Sequence, residues 1–157
     1  MKLSSKKLVK ELLKKKIKLS IAESCTGGML SSEITSVSGS SKIFKMGIVA
    51  YSNLSKIKIL RVSRKILAKY GAVSEQVCKA MTKNIFLIGK TNMSIAVTGI
   101  AGPSGGTKEK PVGLVYIGIK KGNKIIIKKC FFKNKGRTYI QKTTVNKCIK
   151  LIFEIMK

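Results

Sequence analysis

Lys18-Leu19-Ser20-Ile21-Ala22-Glu23-Ser24-Cys25-Thr26-Gly27-Gly28, running on into Met29-Leu30-Ser31-Ser32-Glu33-Ile34-Thr35-Ser36, is the stretch that decides the fold. Residues 18–23 alternate and then turn small, as a short buried strand does. Ser24 to Gly28 have turn chemistry, and a helix is expected from about Met29 to Ser36. A strand that passes through a glycine turn into a helix is the repeating unit of an α/β fold.

The same alternation continues on both sides. Upstream, Leu8, Val9, Leu12, Leu13 and Ile17 form one stripe and predict a helix over 4–17, with Glu11 four residues before Lys15. Downstream, Gly47 to Tyr51 reads as a second strand, and Ser52 or Asn53 can cap a helix carrying Ile57 and Leu60. Ser74 caps a longer helix over 74–88 that Gly89 ends, and Ser94 to Thr98 reads as a central strand. Residues 113–119 and 124–132 form a hairpin about Gly122-Asn123, and 137–156 the last helix. The expected fold is one domain over 1–157, a three-layer α/β/α sandwich on a mixed, mostly parallel sheet of about five strands. In such sheets sites gather beyond the C-terminal ends of the parallel strands. Three segments rich in glycine or hydroxyl groups fall there, at 24–28, 51–56 and 98–107.

Composition narrows the chemistry. The chain has 157 residues, 44% of them hydrophobic, enough for an ordinary core. It has no apolar run long enough for a membrane span and no signal-peptide core, so a cytoplasmic protein is expected. Cys25, Cys78, Cys130 and Cys148 form no CxxC pair, and reduced thiols are expected. The net charge is +27, from 33 Lys and Arg against 6 acidic residues, all of them Glu. Lysines interrupt every segment instead of clustering beside aromatics, which favours a compositional bias over a dedicated nucleic-acid binder. Weak, salt-sensitive nucleic-acid binding is expected from the charge alone. There is no histidine, so Ser-His-Asp and Cys-His mechanisms are excluded. A nucleophilic enzyme made from these residues takes its base from Lys, Tyr, Glu or a terminus.

The three segments supply candidates. Ser24, at a strand-to-helix turn, reads equally as a nucleophile and as a helix-capping serine. The glycines beside it let backbone N–H groups approach a ligand, and a following helix N-terminus favours developing negative charge. Tyr51 and Lys56 bracket a second such turn, where burial would lower the lysine's pKa enough for a base. The loop from Thr98 to Thr107, with four glycines and one proline, is neither a Walker loop nor GxGxxG, and alone signifies a ligand site or a tight turn.

Taken together, Ala22-Glu23-Ser24-Cys25-Thr26-Gly27-Gly28, Val49-Ala50-Tyr51-Ser52-Asn53 with Lys56, Gly71-Ala72-Val73-Ser74, and Ala96-Val97-Thr98-Gly99-Ile100-Ala101-Gly102-Pro103 with Gly105-Gly106-Thr107 and Lys110-Pro111-Val112-Gly113 resemble the CinA C-terminal-domain family. The resemblance runs from about residue 5 to 155 in a stand-alone form. It implies a nicotinamide-nucleotide amidase that hydrolyses the carboxamide of nicotinamide mononucleotide to nicotinate mononucleotide and ammonia, with no cofactor and no metal. It implies Ser24 as nucleophile, Lys56 as base and Tyr51 as its assistant. Thr26, Gly27, Gly28, Thr98, Gly99, Gly102 and Arg137 are expected to bind substrate, Arg137 at the phosphate, and a homodimer is expected by analogy. The family usually keeps a Gly-Asp-Arg block and a second arginine four residues on, where this chain has Asn134-Lys135-Gly136-Arg137 and then Gln141. That departure motivates a second reading, an inactive nucleotide-binding domain of the same fold, and the net charge a third, a basic nucleic-acid-binding protein.

Overall fold

The computed structural model describes residues 4–157. Helix α1 is Ser5–Lys14, strand β1 Leu19–Glu23, α2 Met29–Thr35, β2 Phe44–Val49, α3 Asn53–Lys58, α4 Arg64–Tyr70, α5 Glu75–Ile88, β3 Met93–Gly99, β4 Leu114–Lys121, β5 Lys124–Phe131 and α6 Arg137–Met156. The five strands form one sheet in the order β2-β1-β3-β4-β5. β1 is parallel to both β2 and β3, whereas β4 is antiparallel to β3 and to β5, so β4 alone runs against the rest. This is the mixed sheet expected. No described helix is long and apolar enough to cross a membrane.

Side-chain alternation makes the two faces of the sheet unlike. Leu19, Ile21, Met93, Ile95, Val97, Ile117 and Ile119 point to one face and pack with α1, α2 and α6 in the larger core. The opposite face carries Ser20, Ala22, Ser94, Ala96 and Gly118, and against it lie Val77, Met81 and Ile85 of α5. Small residues let α5 come close enough for side chains to bond across the layer. Ser20 Oγ donates to the Ile85 carbonyl (3.0 Å) and Ser94 Oγ to the Thr82 carbonyl (2.8 Å). A Cβ at Gly118 would overlap Thr82 Oγ1. Gly118→Ala is therefore expected to lower stability by about 3 kcal/mol, the upper part of the overpacking range. Urea unfolding checks this, and adding Thr82→Ala is expected to recover part of the loss.

Four elements differ from the expectation: α1 ends at Lys14, before the expected 17, α3 ends at Lys58, before Leu60, and β2 and α4 depart as follows. β2 starts at Phe44, three residues before the strand expected at Gly47, and it ends before Tyr51. It is an edge strand in which Lys45, Gly47 and Val49 are exposed and Phe44, Met46 and Ile48 half-buried, and a Cβ at Gly47 would meet Ser31 Oγ of α2. α4 was not foreseen. It is seven residues long, holds the core through the buried Leu67, and ends at Gly71 with φ 77.

Candidate active site

The ends of the parallel strands β1, β2 and β3 open onto one cavity of about 320 Å³, lined among others by Ser24, Cys25, Tyr51, Lys56, Thr98 and Arg137. Each wall follows from local sequence. Ser24 directly follows β1, where its N–H donates to the Val97 carbonyl (3.0 Å) and ties the turn to β3. Past Ala50, the Ser52 and Ser55 side chains cap one another's backbone N–H groups across α3's first turn (both 3.1 Å). That capping box starts the helix abruptly, and Lys56, one turn in, runs back beneath it.

Lys56 is a wholly buried lysine, 1% exposed. Its Nζ donates to Ser24 Oγ (2.9 Å), to the Ala50 carbonyl (2.9 Å) and, at 3.4 Å, to the Tyr51 carbonyl. None of the three partners is a carboxylate. Burial pushes the amine below its ordinary value of 10.5, because the charged form loses its hydration. Ser24 itself is 8% exposed. The neighbouring Cys25 also reaches the cavity, but burial pushes its thiol up to about 12, and it stays protonated at neutral pH.

The candidate residues do not all gather here. Thr98 lines the cavity, and its hydroxyl donates to the carbonyl of Ala72, another lining residue (2.8 Å), so it braces the wall. Gly99 and Gly102 lie in the wall. Tyr51 is 58% exposed, and its phenol accepts from the Arg137 guanidinium (2.6 Å) instead of facing Ser24. It meets Lys56 through its backbone carbonyl, and the phenol expected to assist the base stands in the cavity lining, bonded to Arg137. Arg137, first residue of α6, also donates to the Gly102 carbonyl (2.8 Å).

Thr26, Gly27 and Gly28 follow Ser24 and Cys25 in the turn, next to the residues that line the cavity. Thr26 Oγ1 is buried with no hydrogen-bond partner among the described residues. Gly28 takes φ 98 to enter α2. The positive end of α2 is already occupied. Buried Glu23 accepts from the N–H groups of Leu30 and Ser31 (both 2.9 Å) and from Ser31 Oγ (2.7 Å). That helix end therefore serves the protein's own carboxylate, against the expectation that it would hold charge developing on a ligand. Sequence reading did not single out as site residues Asn53, Val73 and Ser104, which line the cavity, or Gln141, whose Nε2 donates to the Cys25 carbonyl (2.9 Å). For Gln141 the available signal was its spacing, one helical turn after Arg137.

A three-layer α/β sheet with a buried serine–lysine pair at the C-terminal ends of its parallel strands defines the class of molecule. Within that class the chain belongs to the CinA family, since the CinA C-terminal domain matches residues 2–156. It is 53% identical over 144 residues to a CinA-like protein of Prochlorococcus marinus (strain MIT 9515), covering 90% of this chain and 33% of that protein. It is 44% identical over 145 residues to a competence-damage inducible protein of Thermoanaerobacter pseudethanolicus, covering 92% of this chain and 35% of that one. The chain thus spans about a third of the length of these relatives. Among solved structures, the competence/damage inducible protein CihA from Agrobacterium tumefaciens superposes with a TM-score of 0.95 at 34% identity, over 98% of this chain and 93% of that one. The CinA superfamily protein from Escherichia coli superposes with a TM-score of 0.92 at 28% identity, over 96% and 87%.

Proposed function

We propose that this protein is a serine–lysine amidohydrolase that converts nicotinamide mononucleotide and water to nicotinate mononucleotide and ammonia. The observation that carries the reading is the contact between Lys56 Nζ and Ser24 Oγ at 2.9 Å, away from solvent, in a chain without histidine. Two of the three groups around the amine are backbone carbonyls, which accept only. Once neutral, the amine has two N–H groups for those carbonyls and a lone pair left for the Ser24 hydroxyl. The same geometry thereby sets both the donor and the base form.

In the proposed sequence Lys56 takes the Ser24 proton while Oγ bonds to the amide carbon. The resulting ammonium gives that proton to the leaving nitrogen, and the C–N bond breaks to release ammonia. Lys56 then takes a proton from water as its oxygen bonds to the acyl carbon, and returns that proton to Ser24 Oγ as the ester C–O bond breaks, which releases the acid product and restores both groups. Cys25 lines the cavity, and among the described residues its N–H donates to no backbone carbonyl. As the amide directly after the nucleophile it is the oxyanion donor of this scheme, together with the nearby Thr26 and Gly28 N–H groups, which among the described residues also donate to no backbone carbonyl.

Ammonia release across a panel of pyridine nucleotides and nucleosides, with calorimetric titration of the mononucleotide, tests the proposal. Binding without turnover would leave a nucleotide-binding domain instead. Arg137, at the cavity rim, is assigned to the substrate phosphate. Arg137→Ala is expected to reduce kcat/KM for the mononucleotide by about 10- to 100-fold. The riboside, which lacks the phosphate, should be a poor substrate for wild type and lose little further. Equal losses on both would place the effect in the fold, because Arg137 also holds Gly102 and Tyr51.

A further inference from the structure

We infer that Gln141 is a positioning residue for the nucleophile turn, acting through its bond to the Cys25 carbonyl. The inference rests on the serine–lysine reading and adds a residue to it. Within the turn, the Ser24 carbonyl accepts from Gly27 N–H and the Thr26 carbonyl from Met29 N–H, both at 3.0 Å. The Cys25 carbonyl lies between them and is held from outside the turn, by Gln141 Nε2 at 2.9 Å, from a residue 116 positions away.

That bond has a geometric consequence. A trans peptide is planar, so fixing the Cys25 carbonyl fixes the Cys25–Thr26 plane and the rotation of the Cys25 backbone about Cα–C. The Cys25 N–H is attached to the same Cα and is an oxyanion donor of the proposed reaction, while Ser24 Oγ sits one residue before it. Gln141 follows Arg137 by four residues, so both project from the same face of α6. Arg137 holds the Gly102 carbonyl and the Tyr51 phenol. One helix face therefore fastens all three loops of the cavity, and Gln141 is the part of it that touches the reacting one. Oxyanion alignment is sensitive to such fastening, since a displacement of about 1 Å can reduce rates by about 100-fold.

The test uses Gln141→Met, which keeps the side-chain length and loses the donor, and Gln141→Arg, which restores a donor able to reach the same carbonyl. Two measurements are made on each. One is kcat and KM for mononucleotide hydrolysis. The other is the rate at which a neutral fluorophosphonate labels Ser24, followed by mass spectrometry, a reaction that needs the aligned serine and no substrate phosphate.

Gln141→Met is expected to lower kcat by about 10- to 100-fold with KM little changed, and to slow labelling by a similar factor. Gln141→Arg is expected to recover most of both. Unchanged labelling in Gln141→Met overturns the inference, even if hydrolysis of the mononucleotide stands. A loss that Gln141→Arg does not repair, accompanied by a lowered melting temperature, also overturns it, because the role is then structural. If wild type is labelled at Ser24 but releases no ammonia, the proposed substrate is wrong, and the labelling rates alone decide the role of Gln141.

Discussion

Ser24→Ala is expected to remove turnover, lowering kcat by about 10⁴-fold or more, as loss of a nucleophile does in other serine hydrolases. The fold should survive. The serine's backbone makes the structural contact, through its N–H to Val97, and the substitution leaves that bond in place. Its hydroxyl bonds only to Lys56 among the described residues, and that amine keeps two carbonyls. An unchanged melting temperature together with lost ammonia release is therefore the expected pair of results. Cys25→Ser provides the comparison. A thiol pushed up to about 12 by burial is a poor nucleophile at neutral pH, so this change should cost far less activity. If Cys25→Ser is inactive and Ser24→Ala is not, the nucleophile has been misassigned.

Lys56→Met is expected to be nearly as severe, and its effect extends to the pH profile. Only the neutral amine accepts a proton, so the wild-type rate should rise with pH through the lowered Lys56 pKa and then level off. The methionine variant should lose that limb. Stability follows the same group. Between the lowered folded value and the ordinary 10.5, the unfolded chain holds a proton that the native one does not. Wild-type stability should therefore rise with pH across that window, and Lys56→Met should remove this increment. Rate measurements and chemical unfolding over a common pH series check both. A pH–rate profile that keeps its shape in Lys56→Met would sink the serine–lysine scheme.

Much of the architecture was legible because it rests on local signals. Ser74 caps α5, with its hydroxyl accepting from Val77 N–H, and Gly122-Asn123 turns the hairpin between β4 and β5, both as the sequence indicates. Ser24 and Lys56 stand at strand-to-helix turns, and the parallel order of β2, β1 and β3 brings those turns together. α4 escaped because it is short and a single buried leucine secures it, too little for a periodic pattern. The direction of the Tyr51 phenol, the capping of α2 by Glu23 and the reach of Gln141 to Cys25 were illegible for another reason. Each is a contact between elements, and no propensity of the residue itself encodes its partner. Glu23 lay inside the motif that drew attention to Ser24, yet only the structure shows its carboxylate turned toward α2.

That buried carboxylate also gives the cavity an electrical direction. Where Glu23 satisfies the start of α2, the helix dipole is quenched internally, and its field adds little positive potential on the Ser24 side. The permanent positive charge is at the rim, on the exposed guanidinium of Arg137. For the proposed substrate, this charge would meet the phosphate at the mouth and leave the neutral carboxamide end toward Ser24. On that reading, orientation would begin with attraction at the mouth, before contact with the serine.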